Sequence, residues 1–194
     1  MTAERAAALV ALTRTVDETR ALAAALGERA RPGDLVLLAG DLGAGKTAFA
    51  QGFGAGLRIT ETITSPTFTL AQEYEGRLRM HHLDVYRLDQ LGEVAGLGLA
   101  ELLDDGSVVL IEWGDKILPA LPSDYLEVRL TFGEGDDDRR LAFRAVGPTW
   151  SLRTRTIAEV VGPYVGPPRG NGTSPDGPPG PEGAAGNGTG GTEA

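Results

Sequence analysis

The chain has 194 residues, a formal net charge of −9 and no cysteine. The lack of cysteine excludes disulfides and thiol nucleophiles, and the acidic balance argues against tight unaided nucleic-acid binding. The apolar run near the N-terminus spans only seven residues, Ala6 to Leu12, too few for a membrane span and poorly flanked for an export signal. We therefore expect a cytoplasmic protein with no membrane segment.

The first elements predicted along the chain are a helix, a strand and a second helix. Thr15 and Glu18 have the spacing of a capping box, which predicts a helix that runs to about Arg29. The apolar segment 34–40 predicts a short strand. The segment that begins at Lys46 has helical character and ends among glycines.

The second half of the chain adds more strands. Two strands are predicted in residues 67–86 around a turn at Glu75-Gly76, and a short helix and a further strand follow in 97–105 and 107–113. A hairpin is predicted from 124–132 and 139–146, and a last helix from near Pro148 to near Val161. This alternation predicts an α/β domain with a mixed sheet.

The composition changes at Gly166. Residues 166–194 contain ten glycines and six prolines, with no aromatic residue and no Val, Ile, Leu or Met. Such a segment cannot bury enough apolar surface to offset the entropy of ordering it, which predicts a disordered tail. The predicted boundaries are therefore 1–165 for the folded domain and 166–194 for the tail.

The segment GDLGAGKT, Gly40 to Thr47, matches the P-loop pattern G-x-x-x-x-G-K-[ST] between a predicted strand and a predicted helix. Its glycines let backbone N–H groups turn toward an anion, Lys46 offers an ammonium to the β- and γ-phosphates, and Thr47 offers a hydroxyl to Mg²⁺. The motif predicts a three-layer, P-loop NTPase-like domain. The remaining residues predicted to cradle the phosphates are Asp41, Leu42, Gly43, Ala44 and Gly45.

Two strand ends offer acidic partners for the metal. Glu112 closes an apolar run in the manner of a Walker B strand, and Asp84 follows a separate strand. The alternatives are a solvated strand-end carboxylate for Glu112 and a helix-capping or surface acid for Asp84. His82 is interpreted as a packing or supporting residue, and Trp113 and Tyr86 as core or interface aromatics.

The base is predicted to be adenine. Guanine-specific P-loop proteins carry N-K-x-D, and both asparagines of this chain lie in the tail. The predicted cofactors are therefore ATP and Mg²⁺.

Four segments together resemble one family, the TsaE-type P-loop ATPases. They are GDLGAGKT (40–47), SPTFTL (65–70), HLDVYRL (82–88) and IEWGDK (111–116). The resemblance covers roughly residues 15–144. It implies the ATPase component of bacterial tRNA threonylcarbamoyladenosine synthesis, which acts with TsaB- and TsaD-type partners and meets tRNA only through them.

The resemblance also implies roles for single residues. Lys46, Asp84 and Glu112 are the implied catalytic residues, and Thr47 joins the two acids at the metal. Ser65 and Thr67 lie in a segment that resembles a nucleotide-sensitive switch loop. An arginine of the late hairpin, Arg139 or Arg140, is implied to contact nucleotide.

Two other classes of function remain open on the residues alone. One is a small-molecule or nucleoside kinase, which would add a lid with several arginines and an acceptor pocket. The other is a nucleotide-binding scaffold without turnover, against which the two acidic strand ends argue.

Overall fold

The computed structural model describes residues 8–66, 70–86 and 98–166. The strands in these ranges are β1 Leu9–Thr13, β2 Leu35–Ala39, β3 Ala71–Tyr74, β4 Met80–Asp84, β5 Val108–Glu112, β6 Tyr125–Phe132 and β7 Arg139–Val146. The α-helices are α1 Val16–Glu28, α2 Lys46–Gly56, α3 Leu99–Asp104, α4 Pro148–Ser151 and α5 Thr154–Val161. None of the helices described is long and apolar enough to cross a membrane.

The strands of the described ranges form one mixed sheet in the order β1-β7-β6-β2-β5-β4-β3. The central strand β2 is parallel to both β5 and β6, and β4 is parallel to β5. The remaining pairs, β1 with β7, β6 with β7 and β3 with β4, are antiparallel. The α/β architecture with a mixed sheet, predicted from the alternation of elements, is confirmed.

The sheet has a buried core on each face, as a three-layer domain requires. Val36 and Leu38 of β2 belong to one apolar cluster, which also contains Phe49 and Phe53 of α2. Leu35 and Leu37 point to the other face and belong to a second cluster. This alternation follows from the two-residue period of a strand, and burial on both faces explains why β2 is apolar throughout.

Helices α1 and α2 pack closely because glycines line their contact. A Cβ atom added at Gly52 would lie 2.2 Å from the carbonyl oxygen of Arg20, and one added at Gly56 would lie 2.2 Å from that of Ala24. The glycines of α2 therefore bring the helix that follows the P-loop against a rigid neighbour, although glycine lowers helix propensity.

The helix start predicted at Thr15 is observed, with one difference. The Thr15 hydroxyl accepts a hydrogen bond from the Glu18 N–H at 3.1 Å, as in a capping box. The Glu18 carboxylate, however, accepts from the N–H of Arg14 at 2.6 Å rather than from that of Thr15.

Other boundaries differ from the prediction. The apolar run near the N-terminus contributes β1, which the sequence analysis did not assign, because its pairing partner β7 lies far along the chain. The last predicted helix is two helices, α4 and α5, separated by Leu152 and Arg153. From Pro167 onward, the predicted disordered tail lies outside the described residues.

Candidate functional site

The P-loop segment connects the carboxyl end of β2 to the first residue of α2. Gly40, Gly43 and Gly45 have φ angles of 138°, 78° and 104°, a region that side chains disfavour. Gly40 has a second constraint, because an added Cβ atom would lie 2.2 Å from the carbonyl oxygen of Leu130 in β6. The loop thus has the left-handed glycine turns and the helix N-terminus that an anion site uses.

Lys46, the first residue of α2, is folded back over this loop. Its Nζ donates to the carbonyl oxygens of Gly40 and Asp41, at 2.8 and 2.9 Å. It also lies 3.6 Å from the centre of the Trp113 ring. Burial lowers the pKa of Lys46, and the nearby carboxylates of Glu112 and Asp84 oppose that change.

The two predicted acids meet at the same edge of the sheet. Asp84 ends β4 and Glu112 ends β5, and the two residues are directly paired in the parallel register of these strands. Both are buried. The hydroxyl of Thr47 donates to Glu112 Oε1 at 3.0 Å, so that the second residue of α2 touches the end of β5.

His82 lies beneath the two acids. It precedes Asp84 by two positions on β4, so both side chains lie on the same face of that strand. Its side chain is fully buried, and Nε2 lies 3.0 Å from Glu112 Oε1. Within the described residues, the other ring nitrogen, Nδ1, has no hydrogen-bond partner.

Asp84 holds the end of the segment that the family resemblance assigns to a switch. The Ser65 hydroxyl donates to Asp84 Oδ2 at 2.8 Å, and the N–H of Tyr86 donates to Asp84 Oδ1 at 3.0 Å. Thr67, the other candidate of this segment, lies outside the described residues.

Both lysines of the chain lie against Trp113, which the sequence analysis did not foresee. Lys116 Nζ lies 5.1 Å from the centre of the Trp113 ring and 4.1 Å from that of Tyr86, and it donates to the Tyr86 carbonyl oxygen at 3.0 Å. Trp113 itself has a φ of 63°, unusual for a bulky residue. This backbone turn sends the chain away from β5 directly after Glu112.

Arg139, the first residue of β7, lies outside the P-loop. Its guanidinium stacks on the Phe132 ring at 4.8 Å and donates to the carbonyl oxygens of Asp136 and Asp138. The Phe132 ring is 3.9 Å from the position of a Cβ atom added at Gly43. A groove of about 620 Å³ lies between the late hairpin and the C-terminal end of the described chain. Its lining includes Phe132, Arg139 and Arg140.

Three oxygen-bearing side chains at this edge of the sheet fit a hard cation such as Mg²⁺. They are the hydroxyl of Thr47 and the carboxylates of Glu112 and Asp84, all ligands that Mg²⁺ prefers. No group of three His, Cys, Asp or Glu side chains arranged to hold a metal occurs in the described residues. This donor set matches a metal held partly by protein oxygens and partly by phosphates.

Most residues of this cluster are recognisable from the sequence, but their mutual contacts are not. The hydrogen bond from Thr47 to Glu112 joins two motifs that lie far apart in the chain. The contact between His82 and Glu112 could have been predicted from the sequence. Both residues lie near the ends of apolar strands, and parallel pairing of those strands would bring their side chains together.

Comparisons with known proteins agree with this arrangement. Residues 13–141 match the family described as Threonylcarbamoyl adenosine biosynthesis protein TsaE. The tRNA threonylcarbamoyladenosine biosynthesis protein TsaE of Bacillus subtilis is 44% identical over 142 residues, which cover 72% of this chain and 88% of that protein. The protein of the same name from Nostoc is 48% identical over 124 residues, 61% of this chain and 75% of the relative.

A solved structure has the same fold. The crystal structure of YdiB from Bacillus subtilis superposes with a TM-score of 0.70 at 36% sequence identity. The match covers 81% of this chain and 98% of YdiB.

Proposed function

Because the chain belongs to the TsaE family, we propose that it is the ATP-binding and ATP-hydrolysing component of the machinery that forms threonylcarbamoyladenosine in tRNA. The family relatives are named for that biosynthesis, and the chain has a role in it. The finer parts of the proposal are Mg²⁺-dependent hydrolysis, dependence on TsaB- and TsaD-type partners, and location in the cytoplasm.

The observation that carries the proposal is the convergence of Lys46, Thr47, Glu112 and Asp84 at one edge of the sheet. Lys46 and Thr47 begin α2, and the two acids end the neighbouring strands β4 and β5. A fold needs no such collection of charged and polar groups in one place, and each has a defined task in phosphoryl transfer.

The phosphates bind at the P-loop in this proposal. Backbone N–H groups of the glycine turns face the phosphate oxygens in this proposal, and the N-terminus of α2 favours their negative charge. Lys46 exchanges the carbonyl oxygens of Gly40 and Asp41 for phosphate oxygens, since an ammonium binds a charged acceptor more strongly than a neutral one.

The two acids and Thr47 hold the metal in this proposal. Mg²⁺, when bound with ATP, neutralises charge that develops on the phosphates. Thr47 turns its hydroxyl hydrogen away from Glu112 and presents a lone pair. Asp84 orients either a water molecule or the metal. The hydrogen bond from the Ser65 hydroxyl fixes the position of its carboxylate.

The nucleoside lies against Phe132 in this proposal, because that ring is the part of the late-hairpin groove that approaches Gly43 of the P-loop. The Phe132 ring lies next to Gly43 of the P-loop, and the guanidinium of Arg139 stacks on the same ring. An aromatic ring and a guanidinium are the groups on which a purine stacks. Arg139 is therefore the late-hairpin arginine that we assign to the nucleotide.

The protein reaches tRNA through its partners in this proposal. Residues 1–165 carry a charge of −7, which disfavours contact with a phosphate backbone. Bound ATP favours docking onto the partner proteins. It acts through the loop 65–69, whose first residue, Ser65, donates a hydrogen bond to Asp84.

The test is ADP release by the isolated protein, then with tRNA, then with the two partners. We expect slow turnover that rises with the partners and not with tRNA alone. Tight tRNA binding by the isolated protein, or turnover indifferent to both partners, would contradict the proposal. Transfer of phosphate to a small acceptor would favour the kinase instead.

A further inference from the structure

We infer that His82 is a positioning residue for the metal, which holds Glu112 in the orientation that binds the cation. The inference rests on the proposed function, because it assigns the support of a residue that we place at Mg²⁺. His82 itself touches neither nucleotide nor metal in this account.

The first observation is the geometry of the contact. His82 Nε2 lies 3.0 Å from Glu112 Oε1, and the imidazole has no exposed surface. A carboxylate oxygen accepts, so the ring nitrogen that faces it carries a hydrogen and donates. The buried imidazole therefore donates one directed hydrogen bond to one oxygen of one carboxylate.

The second observation is the unpaired atom. Nδ1 of His82 has no hydrogen-bond partner within the described part of the chain, although it is buried. Burying an unpaired polar atom is unfavourable, and an apolar side chain of similar volume would avoid it. Packing alone does not explain a histidine here, whereas the bond to Glu112 does.

The third observation is that Glu112 Oε1 accepts from two side chains, Thr47 and His82. Thr47 Oγ1 lies 3.0 Å from the same oxygen, but the proposed function turns that hydroxyl to the metal. His82 then remains the donor that holds the carboxylate. Side chains that fix metal-binding carboxylates typically change metal affinity about 10- to 100-fold when they are removed.

The experiment compares substitutions that keep or remove the donor. The amide nitrogen of Gln lies as many bonds from Cα as Nε2 of His does, so His82→Gln retains a donor at that reach. His82→Leu removes it at similar volume. The matched control is His81→Leu on the same strand, since His81 points to the opposite face and lies 3.9 Å from Glu73.

The measurements separate metal affinity from nucleotide affinity. Mn²⁺ binding is followed by electron paramagnetic resonance with a non-hydrolysable ATP analogue, and analogue binding without metal is measured by calorimetry. We expect His82→Leu to weaken Mn²⁺ binding about tenfold or more while metal-free analogue binding stays within about twofold. His82→Gln should recover most of the Mn²⁺ affinity, and His81→Leu should match the wild type.

Equal Mn²⁺ affinity of folded His82→Leu and wild-type protein would overturn the inference. If His82→Leu does not fold, His82→Asn replaces it, because its amide reaches only as far as Nδ1. Affinity as high in His82→Asn as in His82→Gln would then overturn the inference. A wild-type protein that binds no nucleotide would instead contradict the proposed function.

Discussion

Buried charges lie at both ends of the central strand β2, and they are arranged in opposite ways. At its amino end, Asp34 and Arg153 are each 4% exposed and form a direct ion pair of 2.6 Å. The other Asp34 oxygen accepts from the N–H of Arg31, and Arg153 also donates to the carbonyl oxygen of Arg29 and stacks on Trp150. Of the polar side-chain atoms of this pair, Arg153 Nε alone has no hydrogen-bond partner within the described residues.

At the carboxyl end, the opposite charges lie close together without pairing. Among the described residues, Lys46 donates to backbone carbonyls and lies on the Trp113 ring, but it forms no ion pair with Glu112 or Asp84. The two carboxylates accept from hydroxyls, a backbone N–H and an imidazole instead. These contacts are weaker than ion pairs, and in the proposed function the hydrogen bond from Thr47 to Glu112 is given up when the metal binds.

The difference separates a structural ion pair from the cluster that we propose as the functional site. A closed pair stabilises its surroundings only while both partners remain, whereas an open cluster lowers stability and keeps its charges available. Substitutions at the two ends of β2 should therefore have opposite effects on stability and on nucleotide chemistry.

The largest expected effect is at the closed end. Arg153→Ala leaves Asp34 buried without its cation, which should lower the free energy of unfolding by about 3–5 kcal/mol. Urea denaturation followed by circular dichroism measures the change. The control is Arg155→Ala, because Arg155 is 92% exposed and pairs with Glu159 at the surface, where we expect a change of less than about 1 kcal/mol. Equal effects of the two variants would remove the distinction.

The pH dependence sharpens this test. Burial raises the pKa of Asp34 above its ordinary 3.8 even with Arg153 present, and removing Arg153 should raise it further. A raised carboxyl pKa means that the folded state holds the proton more tightly, so this contribution to stability is lost as the pH rises through that pKa. The difference in the free energy of unfolding between wild type and Arg153→Ala should therefore become smaller as the pH falls from neutral toward 3.8.

At the open end, the carboxylates should matter for turnover. Glu112→Gln keeps the shape of the side chain and removes its charge, so we expect a folded protein with about 100-fold less ADP release in the presence of the partners. Asp84→Asn should also lose turnover while it retains nucleotide binding. Wild-type rates in both variants would place the acidic groups of the reaction elsewhere.

Lys46→Ala should weaken ATP binding without weakening the fold. It removes the ammonium of the P-loop, and we expect at least about tenfold lower affinity for ATP with Mg²⁺ by calorimetric titration. Because burial lowers the pKa of Lys46, its charge opposes folding at neutral pH, and this penalty would disappear in the variant. Unchanged ATP affinity would contradict the P-loop assignment, and a large loss of stability would contradict the contrast with Arg153.

The smallest effect is expected far from both ends. Removing residues from Gly166 onward deletes a segment without core-forming side chains, so the melting temperature and ADP release should stay nearly unchanged. A fall of more than a few degrees in the melting temperature would indicate that the tail packs on the domain.

The sequence predicted the local features well because they depend on short-range chemistry. The P-loop, the helix cap at Thr15 and the antiparallel pairing of the late hairpin follow from glycine, capping and alternation patterns. It did not predict β1 or the pair of Asp34 with Arg153, because each joins segments from opposite ends of the chain. The contact of both lysines with Trp113 depends on a left-handed backbone turn that no pattern indicated.

The strand order of the sheet has a consequence for how the chain folds as it is synthesised. Val36 of β2 pairs with Leu110 of β5 and Leu126 of β6, and Leu9 of β1 pairs with Phe143 of β7. A ribosome therefore releases the P-loop long before the strands that flank it, and pairings so distant in sequence form slowly. On a nascent chain, α1 and α2 can pack early, but the proposed nucleotide site is complete only after the late hairpin has emerged.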